Sequence, residues 1–188
     1  MKYDKEKLSE AAENIKKLVD TSPLPQWEML PGLELYMDQV IILLNQYLNI
    51  FASGNEEGKF LTPPMINNYV KLKLMPAPVK KKYGRIHLAY LIIICILKQT
   101  LGMSTIQKLI PAGLSEEEIK NVYTSFIRNH NTALMQISKK TITAESYIKE
   151  GTDEASEKIT DFVMQTAISS GLSKLLIEKL TNSLNNQN

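Results

Sequence analysis

The 188-residue chain has a single cysteine, two histidines and one tryptophan. A lone Cys95 cannot close an intramolecular disulfide, and that usage fits a reducing cytoplasm. It sits among isoleucines with no basic neighbour to lower its pKa, which describes an inert core thiol rather than a nucleophile. His87 and His130 are far apart and have no carboxylate or cysteine pattern around them, so the inventory for a metal centre is missing. Also missing are a glycine-rich phosphate loop, a GxSxG elbow and an HExxH helix. These absences predict a protein that is not an enzyme and that carries no catalytic residue, metal or cofactor.

Long apolar runs are lacking too. The longest, "LAYLIIICIL" at 88–97, has ten residues, against the roughly 20 that a membrane-spanning helix needs. The opening "MKYDKEKLSEAAENIKKL" is charged throughout, without the apolar centre of a signal peptide. The expectation is a soluble, cytoplasmic protein that does not enter a membrane.

The most informative absence is of acid. No Asp or Glu occurs between Glu57 and Glu116, where even scatter would put about six. Nine of the chain's 22 basic residues lie in that window (Lys59, Lys71, Lys73, Lys80, Lys81, Lys82, Arg85, Lys98 and Lys108), while all 20 acids lie outside it. The net charge of +2 hides this asymmetry. A solvated surface mixes both signs, so a one-sign window points to a polyanionic partner.

What is present reads as helices separated by punctuation. Residues 4–19 set Leu8, Ala11, Ala12, Ile15, Leu18 and Val19 on one stripe. "TSPLPQWEMLPGLEL" breaks regularity as a connector, with Trp27 expected against the core. From Leu35, "LYMDQVIILLNQYLNIF" repeats apolar residues at helical spacing for about four turns. "ASGNEEGK" (52–59) is a polar loop. Thr62 caps the next helix, with Pro63 at its first position and Pro76 and Pro78 as its stop. "APVKKKYGR" suits a short hairpin or wing. Residues 87–100 contain three isoleucines in a row, which favours a strand, but their length without a turn signal predicts a helix. Gly102 ends that element before the short helix "STIQKLI". "SEEE" (115–118) is a capping box with Ser115 as cap and Glu118 reaching back. It opens a stripe of Ile119, Val122, Tyr123, Phe126, Ile127, His130, Leu134 and Ile137. A last stripe runs Ile159, Phe162, Val163, Ala167, Leu172, Leu175, Leu176, Leu180 and Leu184, which Gly171 could split.

The basic window holds the candidate interface. Its candidate contacts begin with Thr62 at the start of the short helix and continue with Asn67, Asn68, Lys71 and Lys73 on the polar side of that helix. Asparagine can pair bidentately with adenine, and lysine neutralises phosphate. Lys80, Lys81, Lys82, Tyr83 and Arg85 follow in the proline-bounded segment, suited to lie along a duplex backbone. The same face also suits an acidic partner protein. RNA fits less well, since Tyr69 and Tyr83 are the only aromatics of the basic stretch available for stacking.

These residues carry a resemblance. "TPPMINNYVKLKLMP", "VKKKY", "LAYL" and "LKQTLGMSTIQKLI" are similar over about 61–110 to the DNA-binding domain of MerR-type transcription regulators. Met65, Ile66, Asn67, Asn68 and Tyr69 fall where that family reads threonine–isoleucine–arginine–tyrosine–tyrosine. Leu74, Met75 and Pro76 fall on its helix stop, Tyr83 on the wing tyrosine, and Gly102 on the later glycine. Asn67 stands where the family has arginine, Asn68 where it has tyrosine, and the cysteines of its metal sensors have no counterpart. Over 27–110 the chain also resembles a bacterial family of unknown function, regarded as MerR-like, that shares "LPGLELYMDQV", "INNYVK" and "KKKY".

The resemblance implies an all-α protein with a winged helix-turn-helix. The domains would be an N-terminal helix and connector (1–34), a DNA-binding domain (35–110) and a C-terminal helical dimerisation or effector domain (115–188). It implies a homodimeric regulator of transcription on double-stranded DNA, with no small-molecule effector assigned.

Overall fold

The computed structural model describes residues 4–21, 23–51, 60–150 and 153–183. The polar loop read at 52–59, the side chain of Leu18 and Leu184 lie outside the described residues. The described chain is all-α. Its helices are α1 (Lys5–Thr21), α2 (Met37–Tyr47), α3 (Pro63–Lys71), α4 (Arg85–Leu97), α5 (Met103–Leu109), α6 (Glu116–Glu150) and α7 (Asp153–Asn182). Extended pairing among the described residues is limited to two antiparallel bridges, Leu35 with Tyr83 and Val79 with Lys82.

Two compact units form. One combines α1 with residues 130–179, and the other comprises residues 22–129 together with the chain from Leu180 onward. The second unit is built around α4, in which every residue from His87 to Cys95 is buried. A helix covered on all sides needs no polar face, which is why "LAYLIIICIL" shows no amphipathic period. Its isoleucines are accommodated because burial outweighs their modest helix propensity. α2 packs on both α3 and α4, contributing the fully buried Val40 and Leu44. Asn45 ties that packing across residues 52–59: its Oδ1 accepts the Phe60 and Leu61 N–H groups at 2.9 Å each, and its Nδ2 donates to the Leu61 carbonyl at 3.2 Å. That clamp fixes where α3 begins.

The connector read around Trp27 belongs to this core. Leu24, Trp27 and Leu30 are buried, and the Tyr123 hydroxyl donates to the Pro25 carbonyl at 2.7 Å. The Tyr90 hydroxyl likewise donates to the Pro111 carbonyl at 2.7 Å. Both tyrosines thus bury their rings while their hydroxyls keep a partner. α2 starts at Met37 rather than at Leu35, because Leu35 exchanges two backbone hydrogen bonds with Tyr83 (2.8 and 2.9 Å).

At α6 the capping box forms as expected. The Ser115 N–H and hydroxyl both donate to the Glu118 carboxylate (2.8 and 2.7 Å), and the Glu118 N–H donates to Ser115 Oγ at 3.3 Å. In the other unit, Ala12, Ile148 and Ile159 make a small core with Leu8 and Tyr147 against it. Gly171 does not divide α7, which runs unbroken through it.

Candidate nucleic-acid interface

α3 is a nine-residue helix with two sides. Ile66 and Tyr69 are buried, while Pro64, Asn67, Asn68 and Lys71 are exposed. Those four recur at three- and four-residue intervals, so they share one outward face. Thr62 occupies the cap position, but its side chain makes no capping bond. Its carbonyl instead accepts the Met65 and Ile66 N–H groups (3.1 and 3.3 Å), and Pro63 at the first position needs no donor partner.

The helix does not wait for Pro76 and Pro78 to stop it. Lys73 takes φ = 55°, the Lys73 N–H donates to the Val70 carbonyl (3.0 Å), and the Leu74 N–H donates to the Tyr69 carbonyl (2.9 Å). This is a Schellman ending, in which the left-handed position is usually glycine. Here it is an exposed lysine.

Beyond it, Val79 and Lys82 exchange backbone hydrogen bonds (2.9 and 3.2 Å). The two residues between them, Lys80 and Lys81, have φ = 49° and 65°. Positive φ at both central residues is the signature of a type I′ hairpin turn, whose usual sequence is Asn-Gly. Both lysines are exposed. The turn is anchored at its base by His87. Its Nδ1 accepts the Gly84 N–H at 3.0 Å; its Nε2 therefore carries the proton and donates to the Ala77 carbonyl at 3.1 Å.

Three expected contact residues face elsewhere. Tyr83 is only 3 % exposed, with its ring edge-on to His87 at 5.6 Å; burial raises its pKa. It is a core anchor rather than a phosphate ligand. Arg85 is half-buried, its Nε donating to the Leu30 carbonyl at 3.2 Å and its guanidinium 5.8 Å from the Trp27 ring centroid. Lys82 turns toward Glu34, 3.8 Å away, and the Tyr36 ring. The cavity that Lys82, Arg85 and His87 help to line also includes Glu34 and Glu116, so its charge is mixed. By contrast Lys71, Lys73, Lys80 and Lys81 are exposed and form no ion pair among the described residues.

The remaining titratable groups of interest are structural. Burial pushes the Cys95 thiol up to about 12, which keeps it protonated and unreactive. Burial lowers the pKa of half-buried His130.

Comparison with known families places this unit. A model for a domain of unknown function, DUF1836, matches residues 25–126, more than half of the chain. The chain belongs to that family. The DUF1836 region takes in the Trp27 segment, α2 to α5, the lysine turn and the start of α6, and it lies within the compact unit formed around α4. No curated protein and no solved structure matches the chain. No helix among the described residues is long and apolar enough to cross a membrane.

Proposed function

We propose that the protein is a sequence-specific transcription regulator that binds duplex DNA through the outer face of α3 and the adjoining lysine turn. In this reading α2 and α3 act as a helix-turn-helix pair, and residues 79–82 act as a short wing of the kind found in MerR-type regulators. Asn67 and Asn68 read base edges, with Lys71, Lys73, Lys80 and Lys81 on the phosphates.

One observation carries the reading. The only non-glycine residues with positive φ among those described are Lys73, Lys80 and Lys81. A left-handed backbone costs an L-residue roughly 1–2 kcal/mol, and glycine or asparagine would relieve it at each position. Either replacement would also remove a charge. Strain retained at exposed positions points toward function, and a cluster of exposed cations in an acid-free segment suits phosphate.

Duplex is favoured over single strands by the aromatics. Tyr69 and Tyr83, which would be the stacking platforms for unpaired bases, are 1 % and 3 % exposed, and single-strand readers need such rings in the open. The test is a salt titration of binding to random duplex DNA, followed by selection of sites from a random duplex pool. Salt-sensitive binding and an enriched sequence support the reading. Binding to an acidic protein with none to DNA would reassign the face to a protein partner.

A further inference from the structure

A cleft of about 490 Å³ opens at the base of the lysine turn, within the unit built around α4. That volume lies in the range of small-molecule sites. Its charged lining residues are Glu34, Lys82, Arg85 and Glu116. Their charges sum to zero but are not paired off. Lys82 stands 3.8 Å from Glu34, whereas neither Arg85 nor Glu116 forms an ion pair among the described residues. His87 adds no charge, because its Nδ1 accepts the Gly84 N–H and its Nε2 donates to the Ala77 carbonyl. Arg85 is held in place without being used up. Its Nε donates to the Leu30 carbonyl at 3.2 Å and its guanidinium lies by the Trp27 ring, while its Nη groups have no hydrogen-bond partner among the described residues. A Cβ on Gly32, which also lines the cleft, would stand 3.3 Å from Arg85 Nη2. The uncommitted edge of the guanidinium therefore sits at the cleft wall.

We propose that this cleft binds a small zwitterion of the α-amino-acid class, with its carboxylate on the Arg85 Nη edge and its ammonium toward Glu116. A guanidinium edge takes a carboxylate through two parallel hydrogen bonds. The positive end of α4, whose first residues Arg85 and Ile86 line the cleft, favours the anion at the same place. Ligands of a single sign are disfavoured. A phosphate ester would meet the carboxylates of Glu34 and Glu116, and a polyamine would meet Lys82 and Arg85. A ligand carrying both signs supplies the partner that Arg85 and Glu116 each lack. This binding is independent of the nucleic-acid reading, because it is measured without DNA.

The test is isothermal titration calorimetry of the full chain against each standard L-amino acid. A thermal-unfolding screen with the same compounds comes first, since a ligand that binds only the folded chain raises Tm. At least one amino acid should bind, one molecule per chain, with a dissociation constant below about 1 mM. The N-acetylated and the amidated forms of the tightest binder should each bind at least about tenfold more weakly, because each lacks one of the two charges. Arg85→Lys, which keeps the charge but loses the fork, should weaken binding by a similar factor. So should Glu116→Gln, with helix content by circular dichroism unchanged because Glu116 is exposed. Absence of binding by every amino acid at about 10 mM overturns the proposal. So does an acetylated or amidated form that binds as well as its parent, or a Glu116→Gln chain of unchanged affinity.

Discussion

Replacing Lys80 by Asn and Lys81 by Gly together separates what the turn costs the fold from what it contributes to binding. The wild-type turn holds two lysines at φ = 49° and 65°, and the double variant installs the sequence that a type I′ turn prefers. Relief of left-handed strain is worth roughly 1 kcal/mol per position, and glycine returns about 0.5–1 kcal/mol of that through its freer unfolded chain. The net expectation is a gain of about 1 kcal/mol, or a rise in Tm of about 4–8 °C for a folding unit near 100 residues. Both side chains are exposed, so no packing is lost. Binding should move the other way. Losing two phosphate contacts flattens the plot of log affinity against log salt by about 1.8. Thermal unfolding by circular dichroism reads the first effect, and fluorescence anisotropy on a labelled random duplex across a salt series reads the second. A Tm that falls or stays put would show that the lysines cost nothing where they are. An unchanged salt slope would show that they do not touch phosphate. Either result refutes the argument that function holds charge at these strained positions.

Other expectations follow from the same geometry. Asn67→Ala or Asn68→Ala should cost about 1–3 kcal/mol on a selected site and relax one base position, with random-sequence affinity barely changed; unchanged site preference in both would remove α3 as the reader. Asn45→Ala leaves the Phe60 and Leu61 N–H groups and the Leu61 carbonyl without their partner and should destabilise the protein by about 2–3 kcal/mol in urea unfolding. Cys95 should resist a thiol reagent in the native protein and react fully once unfolded, since its thiol is buried and pushed up to about 12. Glu118 has a lowered pKa, first from the Ser115 hydroxyl and then from the Ser115 N–H. Its folded value lies below its unfolded one, so the wild type's stability advantage over Glu118→Gln should be complete above about pH 4.3 and fade as the pH falls below it.

Much of the helical framework was legible because periodicity and capping chemistry are local. The capping box at Ser115 and Glu118 forms as read, and length correctly made the run from 87 helical despite its three isoleucines, although the helix ends at Leu97 and residues 98–100 form a turn. Trp27 also takes the buried place expected of it. Other features depend on groups distant in sequence. That Tyr83 faces inward follows from its backbone pairing with Leu35 and its ring contact with His87, neither of which leaves a pattern in "KKKYGR". Arg85 is drawn to the Leu30 carbonyl, 55 residues away. The endings at Lys73 and Lys80–Lys81 were illegible for a different reason: turn rules look for glycine or asparagine, and lysine gives no sign of a left-handed backbone. The proline stop of α3 was misplaced for that reason. Within the acid-free window Lys71, Lys73, Lys80, Lys81 and Lys108 are exposed, Lys108 donating to Asn182 at 3.1 Å, while Lys82, Arg85 and Lys98 are partly buried.

The central claim is tested most directly by the salt dependence of wild-type binding to random duplex DNA. With Lys71, Lys73, Lys80 and Lys81 on phosphates, log affinity should fall against log salt with a slope of about −3 to −4 per protomer. Absence of binding at low salt, or an affinity that salt does not change, would contradict the account.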